Sequence, residues 1–446
     1  MLTRARQFLL DHDSSVLARG TLGNLLIRVV GAGTTFVTEV VVARVIGAES
    51  YGAYVYALGL IAMAGVVSKF GFDVTAMRFV AAYHLQGQFS LVRGFLRFSR
   101  KWVFTASVAV TCLLIAGLLV ARNRISEEFQ ATILIGGPLL ILLSLSQLEQ
   151  GVLYGLRKTV YAELPLNVVR PLIVMLLAWG FSWSATKPAA PTALFWTLLA
   201  TTGALAMSYL FVRRASMSDA TAGGGPEERR YWLHTSRTLV LVAAAGIILS
   251  RTDVVMLGAL VTSAEVGQYG AALRLSTLLI FFLLAVNSAL GPLIAGLHAR
   301  KEHHKLQRVV SLASTSIFVA SSLAAIVLVA FGKYLLQLFG PQFPVAYPVL
   351  IVMLVGQIIN ALAGPVALLL NMTGHQHDVA KVLALSATMN VVLNAVLIPR
   401  YGALGAAIAM SFSMASWNVI MSVIVWKRLE LVALAVPLFW RGKAGA

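Results

Sequence analysis

The stretch WVFTASVAVTCLLIAGLLVA, residues 102–121, runs for twenty residues without a charged side chain. A helix needs about 20 mostly apolar residues to cross the hydrocarbon core of a bilayer. Runs of the same kind recur on both sides of it, near 21–45, 52–70, 131–154, 161–183, 190–212, 238–261, 266–297, 307–331, 345–370, 379–398 and 403–426. Helices are expected throughout, because every backbone polar group in lipid must be satisfied within its own segment. Outer-membrane strands are excluded, since they alternate apolar and polar residues in short segments. The whole chain agrees with its parts: 446 residues, 59% hydrophobic and 12% charged, where soluble domains carry about 25% charged residues. A soluble chain of this length would split into domains with polar surfaces. The expected fold class is an all-α polytopic membrane protein of about twelve transmembrane helices in two pseudo-symmetric six-helix lobes.

The charges orient the helices. The formal net charge is +18, which in a soluble chain would point to nucleic acid. Here twenty-five of the 35 Lys and Arg fall in one alternate set of connections, among them Arg93, Arg97, Arg157, Arg229 and Arg300. Six fall in the other set: Arg44, Arg122, Arg124, Lys187, Lys333 and Arg400. Cytoplasmic loops carry such an excess, so both termini are read as cytoplasmic and no nucleic-acid partner is expected. Trp102, Trp179, Trp183 and Trp426 lie near expected helix ends, where amphipathic rings meet the interface. The N-terminal MLTRARQFLLDHDSSVLARG has no apolar core followed by a cleavage site; it reads as a surface-lying amphipathic segment. Cys112 is the single cysteine, so no internal disulfide can form.

The expected organisation is an N-terminal lobe over 1–212, a cytoplasmic linker over 213–237 marked by Gly-Gly-Gly-Pro and charges, a C-terminal lobe over 238–430, and a cytoplasmic tail over 431–446. The halves resemble each other. AESYGAYVYALGL (48–60) and AEVGQYGAALRL (264–275) share Ala-Glu, Gly-x-Tyr and Ala-Leu-x-Leu once a one-residue gap is allowed. With six helices per half, the copies face the same way and their axis runs along the membrane normal.

VARVIGAESYGAYVYALGL (42–60) followed by KFGFDVTAMRFVAAY (69–83), RTDVVMLGALVTSAEVGQYGAALRLS (251–276), and NMTGHQHDVAKVLALSATMNVVLNAVLIPRYGALGAAIAMSFS (371–413) together resemble bacterial O-antigen and exopolysaccharide flippases. Those belong to the multidrug/oligosaccharidyl-lipid/polysaccharide exporter superfamily. The resemblance runs from about residue 20 to 425 and rests on the order and spacing of degenerate motifs. It implies two six-helix lobes around a central cavity, alternating access, and an undecaprenyl-diphosphate-linked oligosaccharide as cargo. It also implies a bacterial inner membrane, a place in surface polysaccharide or lipopolysaccharide biosynthesis, and a polysaccharide polymerase and glycosyltransferases as partners. Lipid II flippases of the superfamily resemble the chain in placing Arg within the membrane, but usually carry two further C-terminal helices. Drug and cation antiporters carry a buried acid in helix 1, to which Glu39 is loosely similar; four membrane Arg would repel cationic drugs. A membrane-embedded polymerase or ligase would expose a large external catalytic loop. The longest external connection, near 332–345, holds Lys333 and no acid or His. The chain is therefore read as a transporter and not an enzyme.

Charges inside the expected spans are the sharpest functional signal. One at mid-bilayer costs about 2.5–3.5 kcal/mol on the mild insertion scale. Arg28, Arg170, Arg251 and Arg274 are four such residues, and each must face a wet cavity or a partner. A guanidinium suits a diphosphate because its planar fork binds phosphate oxygens in pairs. Arg28, Arg251, Arg274 and Arg170 are therefore the candidate cargo-binding residues. Glu39 is eleven residues from Arg28 and on the same face of helix 1, roughly 16 Å along the axis. Glu39 and Asp253 are the candidate coupling acids for a proton or sodium gradient. The alternative is that these charges are ion pairs fixing helix packing, with Asp253–Arg274 as one such pair. Arg170 precedes Pro171 and would then cover carbonyls freed by the proline. Asn287, Asn360, Asn390, Asn394 and Gln357 are read as interhelical hydrogen bonds before sugar ligands. GLRKT (155–159) lacks the Gly-Lys pair of a phosphate loop, and the His pairs at 303–304 and 375/377 have no supporting ligand cluster, so neither a nucleotide, a metal nor another cofactor is expected. FSLVRGFLRFSRKW (89–102) is read as a helix lying on an anionic membrane surface.

The charge asymmetry makes a direct prediction. In a Cys112→Ala background, single cysteines at Glu265 or Lys333 should react with an impermeant thiol reagent applied to intact cells. A cysteine at Gly224 should react only after permeabilisation; labelling of Gly224→Cys from outside would invert the topology.

Overall fold

The structure is a computed structural model that describes residues 2–120, 127–183, 187–215 and 223–435, without the side chains of 2–25, 238, 241, 242, 288 and 289. Every regular element among the described residues is a helix. Ten are long and apolar enough to cross a membrane. Two of these are double length. The 54-residue helix α14 (Gln376–Leu429) would extend about 80 Å if straight, against about 30 Å of hydrocarbon. It folds back at Gly402, whose φ of 55° and ψ of −134° are not helical. α1 (Leu2–Lys69) breaks in the same way at Gly47, with φ 82° and ψ 168°. Glycine alone takes such angles without a Cβ penalty. Counting each of the two as a pair gives the twelve expected spans.

The helices form two compact units: Met1–Ile46 with Leu60–Ala244, and Gly47–Gly59 with Ala245–Ala446. The first unit holds α2 (Phe72–Leu85), α3 (Phe89–Val120), α4 (Glu127–Gly155), α5 (Thr159–Leu164), α6 (Arg170–Phe181), α7 (Ala190–Ala215) and the start of α8 (Pro226–Leu260). α4 packs on α2, α3 and α7. At one end of α2 and α3 an aromatic cluster closes the unit: Phe72, Phe95 and Trp232 are fully buried, with Phe79 beside them.

Trp232 corrects the expected linker. Residues 226–237 are helical; the Trp232 ring meets Phe95 edge-on at 5.4 Å and its Nε1 donates to the Tyr83 hydroxyl at 3.0 Å. Ser236 donates to Thr75 at 3.0 Å, and the Gly223 amide donates to the Ser90 carbonyl at 2.8 Å. The polar composition that reads as linker is the outer face of a docked helix; residues 216–222 lie outside the described residues. The expected surface helix at 89–102 is likewise the beginning of α3. Val92, Gly94, Phe95, Leu96 and Ser99 are buried in the unit. Arg100 binds the buried Glu149 in a fork, Nε and Nη2 donating at 2.6 and 2.8 Å.

The second unit holds the rest of α8 with α9 (Ser263–Ser276), α10 (Ile280–Ala299), α11 (His303–Gln337), α12 (Tyr347–Ala363), α13 (Val366–Met372) and α14. α12 packs on α9, α11 and α14. Asn418 donates to Asn360 at 3.0 Å and Asn390 to Ser413 at 3.4 Å, so Asn360 and Asn390 bind span to span as expected, whereas Asn394 donates to Asn390 one turn away on its own helix. The Glu265 carboxylate accepts from the Ala403 amide at 2.6 Å, just past the Gly402 bend. The start of the expected tail is pinned: Gln307 exchanges hydrogen bonds with the Val432 backbone at 2.8 Å each way, and the Ala435 amide donates to Leu362 at 2.9 Å. Residues 436–446 lie outside the described residues.

Within this unit the two copies of the repeated motif meet. A Cβ on Gly52 would strike the Ser263 carbonyl and, at 2.9 Å, the Gly267 amide nitrogen; one on Gly267 would strike the Ala48 carbonyl and, at 3.0 Å, the Gly52 nitrogen. Gly52 and Gly267 are equivalent positions of the repeat, so the close approach is reciprocal. Small residues at helix crossings let backbones touch where lipid supplies no hydrophobic drive. Gly267→Ala should lower the melting temperature of the purified protein through an overpacking cost of about 1–3 kcal/mol. Gly117→Ala, with no atom within 4 Å of the added carbon, should not; equal melting of the two would refute the contact.

Candidate functional site

Besides the Arg100–Glu149 pair, the described residues of each unit include a buried carboxylate network within the spans that includes or adjoins expected site residues. In the first unit, α1 presents Arg28, Gly31, Thr34 and Thr38, at helical spacing, to the segment 163–171. That segment is irregular for a sequence reason. Pro171 has no N–H, so the carbonyl of Asn167, one turn earlier, loses its helical donor. The chain there forms a π turn over Pro165–Val169, a feature frequent at functional sites. Thr34 reaches the Asn167 carbonyl at 3.4 Å and Thr38 donates to the Pro171 carbonyl at 2.9 Å. A Cβ on Gly31 would sit 2.9 Å from the same Asn167 oxygen. At the Asn167 carbonyl freed by Pro171 the Thr34 hydroxyl of α1 thus approaches; the Arg170 side chain, expected to cover such carbonyls, is half-buried.

Arg28 is not a lone charge. Its Nε and Nη2 both meet Oε1 of Glu163 at 2.8 Å. Tyr154 donates to the same oxygen at 2.5 Å, and Asn167 Nδ2 donates to Oε2. The Glu163 side chain is 5% exposed and that of Arg28 41%. The sequence reading missed Glu163, although it is an acid inside the run 161–183 and the available signal was its presence there; Glu149, inside 131–154, was missed in the same way. Glu39 follows Thr38 on α1 and is buried at 6% exposure.

In the second unit Asp253 is 3% exposed on α8. It accepts from the hydroxyl of Tyr269 on α9 and, at 2.9 Å, from the Val254 amide. Arg274, its expected partner, lies on the same helix as Tyr269 and is half-buried. Arg251 is also half-buried and acts on Asp253 electrostatically. Tyr269 is fully buried, its hydroxyl also near Met410 Sδ at 3.8 Å.

The fold and site define a polytopic helical membrane protein with cations inside its spans, Arg28 held by an internal acid and Arg251 acting on another. The comparisons agree. Residues 17–298 match the family described as polysaccharide biosynthesis protein, and 239–396 match the MatE family. The chain is 23% identical to the probable low-salt glycan biosynthesis flippase Agl15 of Haloferax volcanii, over 90% of this chain and 81% of that one. It is 30% identical to the probable flippase AglR of the same organism over 36% of this chain and 35% of that one. Among solved structures it resembles a multidrug resistance transporter of the MATE family (TM-score 0.71, 13% identity, 91% of this chain and 98% of that one). It also resembles the lipid II flippase MurJ (TM-score 0.70, 13% identity, 92% and 87%). The chain belongs to the polysaccharide biosynthesis protein family.

Tyr269→Phe tests the second network. It removes a donor from a buried carboxylate, and hydrogen bonds to charged groups are worth about 1.5–3 kcal/mol. The variant should melt several degrees lower, with Asp253→Asn, Tyr269→Phe losing less than the sum of its parts. Full additivity would show that the two groups do not act together.

Proposed function

We propose that the chain is a flippase that carries undecaprenyl-diphosphate-linked oligosaccharide units across a bacterial inner membrane by alternating access, with both termini cytoplasmic. The observation that carries the reading is Arg28, a half-exposed guanidinium inside the first apolar span. Its relatives support it, being named as glycan-biosynthesis and lipid II flippases. A diphosphate crossing a bilayer and an arginine embedded in one face converse problems: each is costly without the other's charge. Arg28 in the first unit, and Arg251, Arg274 and Arg170 in their own places, are the groups that compensate the headgroup. Transport then needs no bond to be made or broken, and the protein acts as a carrier and not an enzyme. Glu39 and Asp253 couple it to a proton or sodium gradient. Polymerase and glycosyltransferases supply and consume the carried glycan.

In a strain dependent on this protein for surface glycan, Arg28→Ala and Arg251→Ala should each stop export while the protein still inserts. Lysine at either position should rescue only in part, because it keeps the charge and loses the fork. In vesicles with an imposed pH gradient, Glu39→Gln should transport at one rate whatever the gradient. Wild-type export by the Arg28→Ala, Arg251→Ala double variant would move the cargo site elsewhere.

A further inference from the structure

The Arg28–Glu163 pair supports a step that rests on the diphosphate reading and goes beyond it. Both guanidinium contacts, from Nε and Nη2, end on Oε1 of Glu163 at 2.8 Å. A carboxylate oxygen and a phosphate oxygen offer this edge of the arginine the same thing, an anionic acceptor shared by Nε and Nη2. The edge of Arg28 that would serve a phosphate is therefore already filled by an acid of the same unit. We propose that Glu163 is a place-holding anion: it occupies the Arg28 fork while the protein is unloaded, and the cargo diphosphate takes its place.

Three features of the site favour exchange over a fixed pair. The acid is buried while the cation is 41% exposed, so an incoming anion can reach Arg28 without dismantling the core. Glu163 would not be stranded when Arg28 leaves it, because Tyr154 at 2.5 Å and Asn167 still donate to its two oxygens. The backbone that follows Glu163 is a π turn between Pro165 and Pro171, held by threonine hydroxyls of α1 rather than by a complete helical ladder. Single π turns of this kind are frequent at functional sites. The device also answers a need of any carrier. After release the protein must reset with no cargo, and an uncompensated arginine in the membrane would oppose that step. Glu163 cancels the charge during the reset and competes with the cargo during loading.

The test uses the purified protein in nanodiscs of phosphatidylcholine, titrated with farnesyl diphosphate by calorimetry. Glu163→Gln removes the competitor and should bind the probe about tenfold more tightly than wild type. Glu163→Asp, which keeps the charge, should bind like wild type. Arg28→Ala should bind at least about tenfold more weakly, and adding Glu163→Gln to it should change nothing further. A merely structural acid gives the opposite sign, since its loss would loosen the site. If Glu163→Gln binds no more tightly while Arg28→Ala still loses the probe, the place-holder falls and the diphosphate reading stands. If Arg28→Ala binds like wild type, the diphosphate reading of Arg28 falls and takes the place-holder with it. A gain that survives in the double variant would overturn the proposal by assigning the acid to another cation. Should Glu163→Gln not fold, Glu163→Ser replaces it. Failure of both to fold would make the carboxylate a packing group and also overturn the proposal.

Discussion

Inside the hydrocarbon of a bilayer there is no water to complete a hydrogen bond, so every backbone carbonyl and amide in a span must find its partner within the chain, and every charge a partner or a wet surface. The details of this structure follow from that scarcity. Where Pro171 takes a donor away from Asn167, a threonine of another helix reaches in to replace it. Hydroxyls elsewhere turn back on their own helices, as Thr201 does to the Thr197 carbonyl at 2.6 Å and Ser146 to Leu142 at 2.8 Å. Acids appear where cations or hydroxyls need them: Glu149 under Arg100, Glu163 under Arg28, Asp253 under Tyr269.

The same medium changes what holds helices together. Lipid tails are as apolar as leucine, so burying leucine between helices gains little within the hydrocarbon, and close backbone approach matters more. Gly52 and Gly267 show this in the second unit, and Gly151, whose added Cβ would lie 3.0 Å from the Asp73 carbonyl carbon, shows it in the first. The aromatic cluster around Trp232 follows another logic. It gathers Phe72, Phe79, Phe95 and Phe98 where α2, α3 and the first turns of α8 come together. Those turns follow a polar, charged stretch of sequence, so water is near and burial of large rings is again worth about 25 cal/mol per Å².

These two regimes decide what could be read from sequence. The spans were legible because nothing but a membrane makes sense of runs such as 102–121, and the Lys and Arg imbalance fixed their number. The bends at Gly47 and Gly402 were not, since one glycine at positive φ and a loop of several residues leave the same gap between runs. Residues 226–237 misled because charges outnumber apolar groups there; Trp232 was the one residue that a solvated linker has no use for. Four cations in the spans were legible as costs that demanded compensation. Their compensation was not, because Glu163 is 135 positions from Arg28 and no local spacing joins them. The acids were the recoverable part. With only 17 Asp and Glu in the chain, each one inside an apolar run carries the same energetic weight as an arginine there, and Glu149 and Glu163 deserved the scrutiny given to Glu39 and Asp253.

The two carboxylate networks differ in a way that bears on what each can do. Asp253 and Tyr269 are sealed, at 3% and 0% exposure, and their bond joins α8 to α9 without reaching an open surface. Breaking it would take one donor from a carboxylate that is 3% exposed and leave it the Val254 amide, at a cost of about 1–3 kcal/mol. Such a pair can serve as a fixed strut, or yield to a small cation that replaces the lost partner. Larger ligands have no access to it. Arg28 and Glu163 share their charge across a boundary instead, with the acid inside and the cation half outside. The acid keeps two donors whichever way Arg28 turns, so the cost of parting falls mainly on the guanidinium. The guanidinium is the member that water or an anion can reach. Among the described residues, a pair that is half open and a pair that is sealed thus answer the same lack of solvent in two ways.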